Sequence, residues 1–327
     1  MKTLSRRRLP AALTALLTGA ALLPAAAQSD FPTKQMRIIV PFTAGGSSDM
    51  QARLLADHLG RLYKQTVLVE NKPGAGGHIG GRAMLDAPAD GHTLMLGSIG
   101  LHATYGVYKK LAYNPAAEYK VVTVLAEMPH VVIANLAVPA SNLRELAALA
   151  RKAPGALNFG SAGIGSSVHM IGELFIDQAD APLTHVPYKG SSATLSDLIG
   201  GQIQLMFENP PTTLQHIKAG KLKPLAVTGA QRLAALPQVP TAAESGFPGF
   251  VATSWTTVAV SAKVPDVIAE RINADIRRVV ASPDFRQSLQ EQGMTPLANS
   301  VAEAATFVAA EKKRWDHVIG RAKLTAD

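Results

Sequence analysis

Three glycine-bearing segments carry the residue types best suited to hold a small anion. They are Thr43-Ala44-Gly45-Gly46-Ser47-Ser48-Asp49, Asn71-Lys72-Pro73-Gly74-Ala75-Gly76-Gly77 and Ser161-Ala162-Gly163-Ile164-Gly165-Ser166-Ser167. Each falls where a strand-like run gives way to helical periodicity. The first amides of a helix lack an intrahelical acceptor and sit at the positive end of its dipole, so such junctions can seat an anion. Glycine lets the backbone approach closely. None of the three ends in Gly-Lys-Ser/Thr, so a nucleotide P-loop is not indicated. The pattern points to a small carboxylate gripped by neutral dipoles rather than by Lys or Arg.

Within these segments, Thr43, Ala44, Gly45, Gly46, Ser47 and Asp49 form one candidate edge. Ser47 or Ser48 can cap the helix or donate to a carboxylate, and Asp49 suits a first turn electrostatically. Gly74, Ala75, Gly76 and Gly77 form the second edge, and His78 can either meet the ligand or cap a helix. Ser161, Gly163, Gly165, Ser166 and His169 form the third. Ser166 and His169 are one helical turn apart, a spacing that invites a nucleophile–base reading. No Gly-x-Ser-x-Gly elbow surrounds Ser166, and no acid is placed to orient His169. The pair reads better as a helix-start hydroxyl and a loop brace, and the chain as a binder rather than an enzyme. No two of the nine histidines are spaced i, i+4, and there is no cysteine, so no metal or cofactor is expected.

The elements that must position these residues alternate between strand and helix, which indicates an α/β class. Strands are expected at 36–42, 66–69, 93–96, 121–125, 131–134, 157–159, 184–186, 204–207, 225–228 and 253–260. Helices are expected after each glycine segment, at 142–151, around 194–199, from Pro210, and at 265–281, 283–292 and 301–319. Linker-like stretches at 126–130 and 229–240 suggest two crossings between lobes.

The N-terminus reads as a secretory signal. Arg6-Arg7-Arg8 precedes an apolar stretch, 9–23, and Ala25-Ala26-Ala27 offers a cleavage site. The formal charge is +8, and Lys2, Arg6, Arg7 and Arg8 account for four of it, leaving +4 on the remainder. No basic block suggests nucleic acid. Roughly 300 residues remain, enough for more than one compact core stabilised by burial alone. An ordinary export route, a periplasmic location and a monomer are expected.

The motifs VPFTAGGSSD (40–49), VENKPGAGGHIG (69–80), DGHTLMLGS (90–98), THVPYKG (184–190), GGQIQLMF (200–207), IKAGKLKPLAVT (217–228) and LPQVPTAAESG (236–246) occur in this order. The chain thereby resembles the Bug family, the extracytoplasmic solute-binding proteins of tripartite tricarboxylate transporters. The likeness spans essentially everything after the signal. It implies a two-lobed periplasmic binding protein of type II fold with a hinged central cleft. Lobe 1 would comprise 28–125 plus 230–327, and lobe 2 residues 126–229. The ligand would be an organic acid or amino-acid-like molecule, held by the first two loops and closed over by the third. The partners implied are a small and a large membrane subunit driven by an ion gradient. A sensor kinase is the alternative partner, and a Ser/His hydrolase the remoter alternative function. Ser98, at a strand end facing the cleft, Tyr188 and Glu208 join the candidates. The family commonly has Pro-Pro where this chain has Thr43-Ala44, and Asp where it has Glu208.

Overall fold

The computed structural model describes residues 31–326. The expected signal peptide, 1–27, lies outside them. The run Met-Arg-Ile-Ile-Val forms β1 (Met36–Val40), buried except at Arg37, as a strand covered on both faces must be. Through the first glycine segment it enters α1 (Ser47–Tyr63), which buries Leu55, Ala56 and Leu59. Then come β2 (Val67–Asn71), α2 (His78–Leu85), β3 (Thr93–Ser98), α3 (Ile99–His102), α4 (Pro115–Glu118) and the long β4 (Tyr119–Pro129).

The middle of the chain contributes β5 (Val131–Ala134), α5 (Leu143–Lys152), β6 (Asn158–Ser161), α6 (Ser167–Ala179) and β7 (Thr184–Pro187). It continues with α7 (Ser191–Ile199), β8 (Leu205–Glu208), α8 (Pro210–Lys218) and β9 (Lys223–Val227). The last part supplies β10 (Thr253–Ser261), α9 (Asp266–Ala281), α10 (Pro283–Glu291), β11 (Thr295–Pro296) and α11 (Val301–Ala322). The short helices α3 and α4 were not expected. The second glycine segment is a tight 3-10 turn, Ala75–Gly77, rather than a plain strand–helix junction.

Two mixed sheets result. The first has the order β11-β4-β10-β3-β1-β2, with β1 parallel to β2 and β3, and β10 antiparallel to β3 and β4. The second has the order β7-β6-β8-β5-β9, with β6 parallel to β7 and β8. One apolar cluster runs through both, from Val124 and Trp255 to Phe159, Phe207 and Phe250, with Trp315 of α11 in it.

The chain leaves the first sheet later than expected. β4 stays paired with β10 up to Pro129, so a boundary at 125/126 falls inside a strand. After β9 the chain does not cross back at 229/230 either. Leu233, Leu236 and Val239 pack with Val131, Ile133 and Leu198 of the second sheet, and Thr241 bridges to Val227. Thr228 pins the two crossings together. Its amide donates to the His130 carbonyl (2.9 Å), and its hydroxyl accepts from the His130 amide (2.8 Å) and donates to the Ala252 carbonyl (2.6 Å). The Ala252 amide returns to the Thr228 carbonyl (2.9 Å).

Candidate ligand-binding site

All three glycine segments emerge from the carboxyl ends of parallel strands, β1, β2 and β6, the usual binding edge of an open α/β sheet. Here the edges of the two sheets meet. Thr104 Oγ1 donates to the Gly165 carbonyl (2.5 Å), Tyr108 OH to the Ile164 carbonyl (2.9 Å) and Ser192 Oγ to the Ala44 carbonyl (2.7 Å). Each bond ties a residue on one side to a glycine segment on the other.

Between them lies a cavity of about 40 Å3. Hydroxyls line it from both sides: Ser47, Ser48, Ser98, Ser254 and Thr256 from the first sheet's side, Ser166, Ser167 and Ser191 from the second's. Asn209, Gly46, Phe42, Met128, Ala162, Val168 and Trp255 complete the wall. No charged side chain lines it. Several of these groups are locked by their neighbours. Gln51, 1% exposed, accepts from Thr256 Oγ1 (2.7 Å) and donates to Ser47 Oγ (3.3 Å), and Ser254 Oγ donates to Asn209 Oδ1 (2.9 Å). Ser98 Oγ differs: it is buried and has no protein partner.

Two helices begin at this cavity without a side-chain cap. The N-caps of α1 and α7 are Gly46 and Gly190, and among the described residues the amides of Ser47, Ser48 and Ser191 meet no protein acceptor. α6, which also begins here, is capped by Ser166. An anion facing uncapped starts would gain from both the free N–H groups and the dipoles.

Five of the glycine amides are spent inside the loops: Gly45 donates to Asp49 Oδ2 (3.0 Å), Gly46 to the Thr43 carbonyl (3.4 Å) and Gly77 to the Gly74 carbonyl (3.0 Å). Gly163 donates to Ser161 Oγ (3.1 Å) and Gly165 to His169 Nδ1 (3.1 Å). In the first segment the glycines shape the turn, and Ser47 and Ser48 present amides that meet no protein acceptor among the described residues.

Of the expected residues, Gly46, Ser47, Ser98 and Ser166 come together around the cavity. Thr43, Gly74, Ala75, Gly76, Gly163 and Tyr188 line an adjoining cavity instead. The remainder line neither. The Ala44 carbonyl is taken by Ser192, and Gly45 by Asp49. Asp49 braces the loop: burial alone would raise its pKa, but Arg53, the Gly45 amide and Asn71 hold it below the usual carboxylate range. Gly77 closes the second turn. His78 Nδ1 contacts Tyr113 OH (2.6 Å), and burial pushes the imidazole down to about 4. Ser161 Oγ pairs with His185 Nε2 (2.6 Å), and burial raises the carboxyl pKa of Glu208, whose Oε1 accepts from the Asn209 amide (2.7 Å).

Ser166 and His169 do not form a nucleophile–base pair. Ser166 Oγ accepts from the His169 backbone amide (3.3 Å) as an N-cap, while the ring meets the Gly165 amide and, contrary to the expectation that no acid would reach it, Oε1 of Glu173 one helical turn on (3.3 Å). Sequence reasoning missed Asn209, Ser191, Ser254 and Thr256 as cavity residues. Only the i, i+2 hydroxyls of β10 gave a readable signal, since alternate residues share a strand face.

Among the described residues, no group of three or more His, Asp or Glu is placed to hold a metal, and no helix is long and apolar enough to cross a membrane.

Known proteins place these features in context. BugT of Bordetella pertussis is 33% identical over 318 residues, covering 95% of this chain and 96% of its own. A protein of R. palustris solved with adipate is 36% identical, covers 90% of this chain and 99% of its own, and superposes with a TM-score of 0.88. MatC of Rhodopseudomonas palustris, solved with bound malate, is 31% identical with a TM-score of 0.84, covering 88% and 100%. Residues 51–324 match the model of the tripartite tricarboxylate transporter family receptor. The chain therefore belongs to that family, the Bug-type periplasmic solute-binding proteins.

Proposed function

We propose that the protein is an exported receptor that captures a small carboxylate in the hydroxyl-lined cavity and delivers it to the membrane subunits of a tripartite-type secondary transporter. One observation carries this reading. The cavity offers a buried hydroxyl on Ser98 and helix-start amides without protein acceptors, and it has no charged side chain. Donors arranged in this way fit an acid group. Two relatives were solved with the acids adipate and malate, which supports the same class here.

Capture follows from closure of two lobes built around the two sheets. The middle lobe extends from about His130 to Ala252, and the rest forms the other. The acid docks against the Ser47 and Ser98 side, and the Gly163–Ser166 loop completes the cage as Thr104, Tyr108 and Ser192 engage. Charge-assisted hydrogen bonds contribute about 1.5–3 kcal/mol each and a helix start about 0.3–1. Net of desolvation and ordering, a few of these are compatible with micromolar binding near about −8 kcal/mol. Neutral donors also release an anion more readily than a buried Arg would, which suits delivery.

Thermal unfolding in a panel of carboxylic acids, neutral amides and amines tests the class, because a ligand selective for the native state raises the melting temperature. A rise confined to acids is expected. A rise produced by amines or neutral compounds alone would overturn the reading.

A further inference from the structure

The adjoining cavity measures about 740 Å3 and opens to solvent. It lies beside the hydroxyl-lined cavity, with Ala162 in the wall of both. Phe42 lines the first and Thr43 the second, Ser191 the first and Lys189 the second. The two differ in chemistry. Ala75, Ile164, Pro187 and Ala193 give the second cavity a largely apolar wall. Its two tyrosines present ring surface, because Tyr108 OH is held by the Ile164 carbonyl and Tyr188 OH by Asp197 Oδ2 (2.6 Å).

Two polar groups stand out against that wall. Thr43 Oγ1 is buried without a partner. Lys189 is exposed, and no carboxylate lies within ion-pair distance of its ammonium among the described residues. It is the only cationic side chain lining either cavity among those residues.

We infer that Lys189 is a specificity-determining residue, selecting acids that carry a second anionic group beyond an apolar spacer. This rests on the receptor reading above. One carboxylate occupies the hydroxyl-lined cavity, the spacer passes Thr43 along the apolar wall, and the distal anion reaches Lys189. A monoacid of equal length gains the same first contacts and the same burial, but not the last.

Calorimetry with succinate, glutarate, adipate and pimelate, each beside the monocarboxylate of equal chain length, separates the two ideas. At least one diacid should bind about fivefold more tightly than its matched monoacid, a gap that shrinks as salt rises. Lys189→Met should abolish the gap and leave monoacid affinity unchanged, while Lys189→Arg should retain it. Monoacids and diacids binding equally well to the unaltered protein would overturn the role of Lys189 alone, as would a gap that survives Lys189→Met. Binding of no acid in either series by folded protein would remove the receptor reading together with this inference.

Discussion

Thr104 and Gly165 are joined across the cleft by a hydrogen bond from Oγ1 to the carbonyl oxygen at 2.5 Å, shorter than those of Tyr108 and Ser192, with Thr104 fully buried. The same glycine spends its amide on His169 Nδ1, so it is gripped at both ends. Thr104→Val keeps the shape of the side chain and leaves the Gly165 carbonyl unsatisfied in the closed form, at a cost of about 1–3 kcal/mol. Ligand affinity measured by calorimetry should fall about tenfold with unchanged circular dichroism. An unaltered affinity would show that the closed, ligand-bound form does without this bond.

Gly76 occupies the left-handed region (φ 58°), and a Cβ there would lie 2.5 Å from the Ile164 carbonyl oxygen and 2.6 Å from Tyr108 OH. Gly76→Val therefore obstructs the meeting of the second and third glycine segments. Binding should be lost while the protein remains folded. Gly220 has a similar φ of 67° with nothing within 4 Å of an added Cβ. Gly220→Ala should cost about 1–2 kcal/mol of stability and leave binding intact. Equal effects of the two changes on affinity would mean that backbone strain, not obstruction, is responsible.

Ser98 separates binding from stability. Its hydroxyl is buried without a partner, a state that costs the folded protein free energy. Ser98→Ala should leave urea stability unchanged or raise it by about 1 kcal/mol, and weaken acid binding roughly five- to tenfold. A loss of stability together with unchanged affinity would place the hydroxyl in the architecture instead of the site.

Acid should weaken the fold through imidazoles buried uncharged. Burial holds His78 and His130 down to about 4, and His102 and His185 to about 3. An unfolded histidine titrates near about 6.5. Between these values the unfolded chain binds protons that the folded chain refuses, so stability rises with pH. The contribution is complete above about pH 6.5 and is lost as pH falls toward the folded values, at about 1.4 kcal/mol per unit for a fully buried group such as His130. Urea midpoints taken at about pH 7, 5.5 and 4.5 should decline steadily. A flat profile would mean that these rings are protonated in the native state.

The strands and helices were largely legible because their apolar periods are clean and glycine or proline marks their ends. β1, α1 and α6 are examples. α3 was not, since a four-residue helix such as Ile99–His102 has no period to read. The packing of the segment after β9 was not legible either. The proline-punctuated segment resembles a linker, yet its Leu233, Leu236 and Val239 cover the second sheet. At the site, glycine punctuation located the loops whose edges meet. Thr256 stands opposite Ser98 only because β10 is inserted antiparallel beside β3, a pairing across nearly half the chain that no local signal encodes.

The clasp at Thr228 limits how this molecule can flex. Because one threonine binds His130 on one side and Ala252 on the other, the two connections cannot slide or twist past each other without breaking bonds among fully buried or nearly fully buried groups. Swinging about a single shared line leaves all of them intact. In the proposed capture cycle, such a joint would return the facing serines to the same alignment each time, much as a door meets its frame, and so let a small cavity built from weak donors keep its selectivity.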